Sequence, residues 1–456
     1  MTNARKPTVV AAAMLLAGLI ACPAADTLQW DMAHDRVDAT IQTWTVPQLL
    51  QHVATATGWE IYLDPEITNR IPTKFTGKEM GDALRRLLGD YSYALVPETN
   101  SAAKFFVFRN SRDQATRAIQ PLVNASKSST NRIGNELVVT LKPGEKIEDL
   151  AKRIGAKIVG RSDAQNTYRL RFDDDQSADT ARAALQKDSA VEGVDNNFYV
   201  ARPETSQALG TPGAALALTP KASPEGKYTV VGLVDSAVQP KDGDFANFLL
   251  PGAATSDAAS GSGPTHGTSM AETILRALAA NTEDKTTTVR LLPVNVFSDG
   301  AEQTSTYDIA VGIYKAVNGG AMIVNLSLGG DGDSSFLHNT IISAHDQGVV
   351  LIAAPGNTPV TTPTYPAAYS EVLAITASDR SGNIASYANR GNFVDGIAPG
   401  GNIITFKGQQ YYVMGTSTST AFASGVAAAI AEATKQTGGS IEAAVRKALA
   451  PKTPAH

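Results

Sequence analysis

The stretch Met414-Gly-Thr-Ser-Thr-Ser-Thr-Ala-Phe-Ala-Ser-Gly425, which leads into the alanine-rich run Val426 to Ala433, decides the fold of this chain. Nearly all of its residues are small or apolar up to Glu432, so it is predicted to form a helix buried on every side. Ser417 stands at the start of that helix, where the helix dipole and unpaired backbone N–H groups stabilise negative charge. On this stretch alone Ser417 fits two roles, a helix N-cap and a catalytic nucleophile.

Composition narrows the class of protein. The 456 residues predict about three domains, and a hydrophobic content of 43% is enough for a sizeable core. The net charge is −5 and the basic residues are scattered, which argues against nucleic acid as a partner. Cys22 is the one cysteine, so a disulfide framework and a cysteine-based zinc site are both excluded.

Residues 1–25 have the pattern of an export signal. Arg5 and Lys6 precede an apolar run from Val9 to Ala21, and small residues separate that run from Asp26. The run is shorter than a membrane-spanning helix requires, and no other stretch of the sequence is apolar enough to cross a bilayer. The sequence therefore predicts a protein that is exported from the cytoplasm.

Two modes of export fit this signal. Leu19-Ile20-Ala21-Cys22 resembles the bacterial lipobox, which implies a lipid anchor at Cys22 and attachment to the outer membrane as a lipoprotein. A soluble signal cut near Ala24 or Ala25 fits as well, and the mature protein is then periplasmic or secreted. The sequence leaves the two modes open.

Residues 35–110 are predicted to form a small α+β domain. Strand-like alternation changes to helical periodicity at Val46, Gly58 is placed to end that helix, and a second helix is predicted from Met80 to Leu88. The runs TWTVPQLLQHVATATGWEIYLDP and FTGKEMGDALRRLLGDYSYALV resemble the short N-terminal domain of secretins and TonB-dependent receptors. The resemblance implies a domain that docks an envelope protein partner and carries no chemistry. The polar residues 111–132 follow as a linker.

Residues 133–202 are predicted to form a second small domain with the element order β-α-β-β-α-β, the ferredoxin-like arrangement. The segments ELVVTLKPGE and DSAVEGVDNNFYVARP are similar to the propeptide domains of subtilisin-like proteases. The resemblance implies that this domain assists the folding of the domain that follows and inhibits it. Residues 203–226, rich in alanine, proline, glycine and threonine, are predicted to be a second linker.

Residues 227–450 are predicted to form an α/β domain. Near-continuous apolar strands alternate there with helical segments, which indicates a parallel sheet covered by helices on both faces. Functional sites in such sheets lie at the carboxyl ends of the strands. The strands are predicted at 228–235, 289–296, 322–327, 349–354 and 372–377, and the helices at 266–280, 305–317 and 335–347.

Four polar residues follow those strand ends or begin neighbouring helices. Asp235 closes the first strand, and Asn357 follows the fourth. His266 begins an apolar helix beside a glycine, and Ser417 begins the last helix. Together they supply a base, an orienting acid, an amide donor and a hydroxyl, which is the set that nucleophilic catalysis by serine requires.

The region from Tyr228 to Ala433 resembles a subtilase catalytic domain. The order Asp-His-Ser along the chain is that of subtilisin and differs from the order in chymotrypsin and in the α/β-hydrolases. The motifs that carry the resemblance are Asp235 in its strand, His266-Gly-Thr-Ser-Met-Ala271, Asn325-Leu-Ser-Leu-Gly-Gly330, Ala353-Ala-Pro-Gly-Asn357, Tyr365-Pro-Ala367, Ala398-Pro-Gly400 and Gly415-Thr-Ser417.

The resemblance implies a serine endopeptidase that works through an acyl-enzyme and is made as a self-processing zymogen. Ser417 is then the nucleophile and His266 the base. Asp235 orients the imidazole, and the Asn357 amide donates to the oxyanion. The resemblance also implies that extended protein or peptide substrates bind in a cleft lined by Ser327, Leu328, Gly329, Ala354, Pro355 and Gly356.

No cofactor is predicted for this chain. Calcium is common in the family that the sequence resembles, but no oxygen-ligand loop stands out, so no metal ligand is assigned. The acidic cluster Asp173-Asp-Asp175 lacks the glycine and the distal glutamate of a calcium loop. It is predicted to be the start of a helix that is rich in carboxylates.

Three departures from the family pattern lie beside the predicted site. Asp-Thr-Gly is replaced by Asp235-Ser-Ala237, Met-Ala-x-Pro by Thr418-Ser-Thr-Ala421, and a glycine by Pro355. Each departure changes backbone that positions a reacting group, and a displacement of about 1 Å can lower a rate on the order of 10²-fold. The sequence therefore leaves an alternative open, a pseudoprotease or envelope scaffold that binds peptides without efficient cleavage.

Overall fold

A computed structural model describes residues 26–31, 34–97, 103–119, 131–203, 206–213, 215–223, 226–239, 243–251, 263–298 and 301–451. The chain divides into two compact units, one of Met1–Ile61, Glu66–Asn110 and Ile119–Leu122, the other of Tyr62–Pro65, Ser111–Ala118 and Val123–His456. The predicted export signal, residues 1–25 with Cys22, lies outside the described residues. No helix within the described ranges is long and apolar enough to cross a membrane.

The N-terminal part of the chain carries the helices predicted for it. Its strands and helices are β1 (Thr27–Asp31), β2 (Arg36–Ile41), α1 (Val46–Thr57), β3 (Glu60–Leu63), β4 (Thr73–Lys78), α2 (Met80–Leu88), β5 (Ser92–Val96), β6 (Lys104–Phe108) and β7 (Arg117–Ile119). Thr45 and Gln48 cap the start of α1 reciprocally, and Gly58 ends it in the left-handed conformation. Both predicted helices are confirmed, and β1, β2 and β4 form an antiparallel sheet.

Residues 132–201 form the second small domain. Its elements are β8 (Arg132–Leu141), α3 (Ile147–Ile154), β9 (Lys157–Ser162), β10 (Thr167–Arg171), α4 (Asp175–Leu185) and β11 (Val191–Ala201). Strand β8 lies between β10 and β11 in an antiparallel sheet. Leu137 and Val139 of β8 pack on the two helices, whereas Val138 between them packs into the core of the following domain. The sheet is therefore covered on both faces.

The predicted linker 203–226 contains two short strands. They are β12 (Gln207–Pro212) and β13 (Thr219–Pro220), and both pair with strands of the α/β domain. All residues of β12 are exposed, so this strand pairs through its backbone and buries no side-chain face. A strand of that kind has no alternation of apolar and polar residues, which explains why the sequence pattern does not predict it.

The α/β domain is built on a sheet of six parallel strands. The strands of the whole domain, including those outside the sheet, are β14 (Val230–Asp235), β15 (Thr286–Thr287), β16 (Arg290–Asn295), β17 (Gln303–Ser305), β18 (Ile323–Leu326), β19 (Val350–Ala353), β20 (Val372–Ser378), β21 (Gly396–Pro399), β22 (Gly401–Phe406) and β23 (Gln409–Met414). Its helices are α5 (His266–Ala280), α6 (Thr306–Asn318), α7 (Ser335–Asp346), α8 (Thr416–Thr434) and α9 (Gly439–Ala448). The central order is β16-β14-β18-β19-β20-β21, all parallel.

Helices cover both faces of this sheet, as predicted. Val231 and Leu233 of β14 pack with α5, α8 and α9, whereas Val234 packs with α6 and α7. The alternation follows from the two-residue period of a strand, and each face is apolar because each is covered. The predicted α/β fold is confirmed, and the carboxyl ends of the strands become the place for the site.

Helices α5 and α8 lie side by side on one face and meet through small residues. A methyl group on Gly425 of α8 would lie 2.4 Å from the Ile274 carbonyl oxygen and 2.7 Å from the Ala277 Cβ of α5. The alanines of α8 that face the core are almost completely buried. Because His266 is the first residue of α5 and Ser417 the second of α8, this close packing sets the spacing of the two helix starts.

Strands β22 and β23 form a hairpin that the sequence pattern does not predict. Its turn is Lys407-Gly408, and both residues have positive φ, 47° and 76°. Two positive φ values are those of a type I′ hairpin turn, which usually carries Asn-Gly or Asp-Gly. Because lysine takes the place of asparagine or aspartate here, the sequence lacks the residue pair by which such a turn is usually predicted. The hairpin ends three residues before Ser417.

Candidate active site

Asp235 and His266 are in contact at the carboxyl end of β14. Asp235 is the fully buried last residue of that strand, and His266 begins α5. The His266 Nδ1 lies 2.8 Å from Asp235 Oδ1 and 2.9 Å from Oδ2. Since an ionised carboxylate accepts and does not donate, Nδ1 is assigned the proton and Nε2 is left as an acceptor. A general base at this position requires that tautomer.

The residues around this pair fix the start of α5. The Thr265 hydroxyl donates to the Ala237 carbonyl at 2.6 Å, and Gly267 N donates to Ser236 Oγ at 2.9 Å. The departure Asp235-Ser-Ala237 therefore keeps a hydroxyl that holds the helix bearing His266 against the strand bearing Asp235. The missing glycine does not separate the two residues.

Ser417 is the second residue of α8, and Gly415 is the N-cap. The alternative in which Ser417 is only a helix cap is therefore wrong. Its Oγ donates to the Ser327 carbonyl at 3.1 Å, and in the described part of the chain no hydrogen bond joins that hydroxyl to His266. Proton transfer to His266 requires the hydroxyl to turn from the carbonyl to the imidazole.

Thr416 orients the side-chain amide of Asn357. Thr416 N donates to Asn357 Oδ1 at 2.8 Å, and Thr416 Oγ1 donates to the same oxygen at 3.1 Å. Because a backbone N–H donates and does not accept, the atom that faces it is the amide oxygen, and Nδ2 is left as a donor. Thr416 directly precedes Ser417, so this donor is held against the turn that carries the hydroxyl, as oxyanion stabilisation requires.

Gly415 keeps that turn close to Asn357. Its φ is 138°, and a methyl group on it would lie 2.9 Å from Asn357 Nδ2. We expect Gly415→Ala to strain the turn and displace the amide, which lowers kcat by about 10²-fold and changes KM less. Steady-state kinetics on a peptide substrate measure both constants.

Gly382→Ala is the matched control for Gly415→Ala. Gly382 also has positive φ, 84°, but a methyl group there would have no atom within 4 Å. This variant carries a similar backbone strain away from the site, so we expect lower stability with unchanged kcat. An equal loss of kcat in both variants would contradict the role given to Gly415.

A buried polar network under α8 holds the backbone of Ser417, and sequence reasoning did not identify it. Ser327 Oγ donates to the Ser417 carbonyl at 3.1 Å and accepts from Asn325 Nδ2 at 2.9 Å. Ser424 Oγ donates to Asn325 Oδ1 at 3.0 Å. Fully buried polar side chains need such partners, so polar residues at the end of the apolar strand Ile323–Leu326 were the available signal.

The residues predicted to line the substrate cleft follow two neighbouring strands. Ser327, Leu328 and Gly329 come directly after β18, and Ala354, Pro355 and Gly356 come directly after β19. The Ser327 side chain is fully buried, so it is the carbonyl of this residue that faces the Ser417 hydroxyl. Gly330 and Tyr365 exchange two backbone hydrogen bonds, of 2.9 and 2.7 Å, which fixes the first segment.

The other two departures are accommodated locally. The Pro355 carbonyl accepts from Thr364 Oγ1 at 2.6 Å and from Asn389 Nδ2 at 2.5 Å, which anchors the loop before Asn357. Thr418-Ser-Thr-Ala421 continues α8 without a proline and is buried. The Asp235–His266 contact and the Thr416–Asn357 contact are thus both present beside the three departures.

Strand β11 of the small domain lies along the cleft. It pairs antiparallel with β17, with Tyr199 opposite Ser305 and Ala201 opposite Gln303. On its other side, a methyl group on Gly330 would lie 3.6 Å from the Tyr199 carbonyl oxygen. The end of the small domain therefore occupies the space between β17 and the segment that follows β18.

Two side chains of β11 cap helices of the α/β domain. Asp195 Oδ2 accepts from Ser334 Oγ at 2.8 Å and from Phe336 N at 3.0 Å, at the start of α7. Asn197 Oδ1 accepts from Tyr307 N at 3.1 Å, at the start of α6. Oxygen atoms at these positions satisfy N–H groups that have no partner within the helix. The small domain is thereby docked through two helix starts.

An ion pair crosses this interface. Arg169 Nη1 lies 2.7 Å from Asp308 Oδ2 across the interface, and the guanidinium lies 5.5 Å from the Tyr307 ring centroid. Burial raises the pKa of the Tyr307 phenol, so the phenol stays neutral, and its hydroxyl donates to the Thr167 carbonyl at 3.4 Å. The ion pair and the buried phenol add to the contacts that dock the small domain on the α/β domain.

Within the described ranges, no group of three or more His, Cys, Asp or Glu side chains is arranged to hold a metal ion. Asp174 of the acidic cluster accepts from Ser177 N at 2.7 Å and caps α4, as predicted for this cluster. No residue is therefore assigned to calcium.

The fold and the site together define a class of protein. The α/β domain contains a buried Asp–His pair, a serine in the first turn of a buried helix and an oriented amide. This is the set of groups that a serine hydrolase uses. The model of the subtilase family matches residues 226–453, half of the chain, and the chain belongs to this family. The model of the fervidolysin N-terminal prodomain matches residues 120–197, and the second small domain is called the prodomain below.

Relatives match the chain over part of its length. Thermitase of Thermoactinomyces vulgaris is 33% identical over 214 residues, which are 45% of this chain and 76% of thermitase. The thermophilic serine proteinase of Bacillus sp. (strain AK1) is 38% identical over 144 residues, which are 31% of this chain and 36% of that protein. The chain thus spans about a third of one relative and three quarters of the other.

Solved structures show the same fold. Fervidolysin from Fervidobacterium pennivorans, a keratinolytic enzyme related to subtilisin, superposes with a TM-score of 0.53 at 18% identity, covering 70% of this chain and 57% of that chain. The epidermin leader peptide processing serine protease of Staphylococcus aureus gives a TM-score of 0.52 at 16% identity, covering 68% and 90%. The resemblance of residues 35–110 to domains of secretins and TonB-dependent receptors stays a prediction.

Proposed function

We propose that this chain is an exported endopeptidase that is made as a zymogen and processes itself. One observation carries the proposal. The His266 Nδ1 is held at 2.8 Å by a buried carboxylate, while Ser417 lies in the first turn of a buried helix beside an oriented amide. These residues supply a base, a nucleophile and an oxyanion donor, and they support the proposal.

The reaction follows from these positions. Ser417 Oγ attacks the peptide carbonyl carbon while His266 Nε2 takes the hydroxyl proton, and Asp235 stabilises the imidazolium that forms. The Asn357 Nδ2 and Ser417 N groups donate to the oxyanion, since the first N–H groups of a helix have no partner within it. His266 then gives its proton to the leaving amine, and water hydrolyses the acyl-enzyme by the reverse proton transfers.

The prodomain supports the zymogen part of the proposal. Strand β11 pairs with β17 by its backbone, which is how an extended substrate binds to an open strand edge. While β11 remains there, another peptide cannot pair with the same edge. We expect self-cleavage between Arg202 and Lys227, followed by release of the prodomain.

Three readouts test the proposed function on the purified protein. We expect the wild type to hydrolyse casein, to react covalently with a serine-directed fluorophosphonate, and to appear by mass spectrometry as a chain cut between Arg202 and Lys227. Ser417→Ala is the control and should do none of these. A wild type that is uncut, unlabelled and as inactive as Ser417→Ala would leave the peptide-binding pseudoprotease as the function.

Asp195→Ala is expected to weaken the inhibition by the cleaved prodomain. Loss of an oxygen that caps a helix start costs about 0.5–2 kcal/mol, which corresponds to a dissociation constant raised about 2- to 30-fold. The lag before casein hydrolysis by freshly processed protein should shorten accordingly. Asp195→Asn keeps an accepting oxygen and serves as the control. A lag that is unchanged by Asp195→Ala would contradict the docking role of this residue.

Export and envelope docking complete the proposal. The pattern of residues 1–25 supports export, and the relative named minor extracellular protease Epr of Bacillus subtilis is consistent with it. The N-terminal domain supplies a surface for an envelope partner. Mass spectrometry of the mature N-terminus distinguishes the modes of export, because a diacylated Cys22 indicates a lipoprotein and a start after Ala24 or Ala25 indicates a soluble protein.

A further inference from the structure

After the prodomain, the chain runs along a second edge of the catalytic domain. Strand β12 pairs antiparallel with β23, with Gln207 opposite Tyr412 and Ala208 opposite Tyr411. The pairing ends where Gly213 N donates to the Gly408 carbonyl at 3.0 Å. The predicted linker is therefore held on the catalytic domain by backbone hydrogen bonds.

Strand β23 leads directly to the nucleophile. It ends at Met414, which is 59% exposed, and Ser417 follows three residues later. Strand β22 pairs with β23 along its whole length, from Met414 to Gln409. The edge that β12 covers is thus the other edge of β23, the one left open for a further strand.

The order of these contacts is that of a peptide bound for cleavage. Such a peptide has its acyl side before the scissile bond and its leaving amine after it. Strand β11 comes first in the chain and lies along β17 and Gly330, whereas β12 comes second and lies along β23. The β17 edge is then the acyl side of the cleft, and the β23 edge is the side of the leaving amine.

We propose that β12 is a second block on the active site, separate from the prodomain. It covers the edge of β23 with which the leaving-amine side of a protein substrate pairs. The proposal rests on the proposed endopeptidase function. Release of the prodomain frees the β17 edge, but every processed form that retains Gln207–Pro212 still has the β23 edge covered. Cleavage of extended substrates requires β12 to be displaced or removed.

Strand β12 is held weakly enough to be displaced. Its six residues are all exposed, so none of its own side chains is part of a core. The register of its pairing shifts between Ala208 and Pro212, and Pro212 has no N–H to donate. A substrate that offers a continuous row of backbone groups competes favourably with such a strand.

Two substrates with the same acyl sequence test the proposal. One is a peptide anilide, which has no residues after the scissile bond, and the other extends six residues beyond it. The variant Gln207→Pro/Ala208→Pro removes the pairing donor, because neighbouring residues alternate between bonded and non-bonded positions. Mass spectrometry identifies the processed forms that still contain β12. In those forms we expect the proline variant to have about tenfold higher kcat/KM than the wild type for the extended peptide and the same kcat/KM for the anilide.

The control is Gln207→Ser/Ala208→Ser, which keeps both N–H groups and should behave as the wild type. A synthetic peptide of residues 206–213 gives a measurement that does not depend on the folding of the variants. It should inhibit hydrolysis of the extended peptide and spare the anilide.

An unchanged ratio of the two kcat/KM values in the proline variant, or equal inhibition of both substrates by the peptide, would overturn the role of β12. A wild type that cleaves neither substrate would instead overturn the proposed endopeptidase function.

Discussion

His266→Ala is expected to lower kcat by about 10⁶-fold, the loss seen when the base or the nucleophile of a subtilisin triad is removed. His266 Nδ1 is held by Asp235 at 2.8 Å, which leaves Nε2 as the acceptor for the Ser417 proton. Without the imidazole, the Ser417 hydroxyl keeps its proton and remains a weak nucleophile. The rate of self-cleavage between Arg202 and Lys227, followed over time by mass spectrometry, measures the loss, because the unprocessed variant carries its own scissile bond.

Non-additivity makes the test of His266 sharper. Ser417→Ala should lose about as much as His266→Ala, and the double variant should lose no more, because the two residues act as a unit. His345→Ala is the control, since His345 lies on α7 and pairs with Glu442 at 3.2 Å. A His266→Ala variant that kept more than about a hundredth of the wild-type kcat would contradict the assignment of the base.

Asn357→Ala is expected to lower kcat by about 10²–10³-fold with little change in KM. The two hydrogen bonds from Thr416, of 2.8 and 3.1 Å, fix the amide so that Nδ2 is the donor. An oxyanion forms in the transition state and not in the bound substrate, so the loss belongs in kcat. Steady-state kinetics on the anilide separate kcat from KM.

Two further variants place the effect at the amide donor. Thr416→Val keeps the backbone N–H that orients Asn357 and removes the hydroxyl, so its loss of kcat should be smaller than that of Asn357→Ala. Asn318→Ala removes a similar amide at the end of α6, where it bonds only within its own helix, and should leave kcat unchanged. If Asn357→Ala raised KM and kept kcat, Asn357 would be a substrate contact and not an oxyanion donor.

The sheet and the helices beside it can be predicted from the sequence because buried elements require apolar residues at the positions that face the core. Strands covered on both faces must be apolar at every position, and helix α5 was predicted with the boundaries that the structure has, His266 and Ala280. Ser417 and His266 could be singled out because each begins a helix at a glycine turn. Asp235 and Asn357 follow parallel strands, whose carboxyl ends share one edge, whereas the start of α8 is set by its packing on α5.

Elements that pair without burying a face could not be predicted. Strand β12 is exposed along its whole length, and the hairpin turn Lys407-Gly408 carries lysine where asparagine is usual. Both depend on the backbone of a distant segment, which local periodicity does not report. The orientation of the Asn357 amide depends likewise on Thr416, a residue far from it in the chain but adjacent in the fold.

The close contact of α5 and α8 extends the reach of mutation beyond the cleft. Gly425 lies about two helical turns from Ser417, and a methyl group there would lie 2.4 Å from the Ile274 carbonyl oxygen. A larger side chain at this depth wedges the helices apart and alters the separation of His266 and Ser417 without touching either residue. Screens that score such variants only for stability would therefore overlook changes in reactivity, and a designer who wishes to tune this enzyme can begin under the helices, away from its substrate.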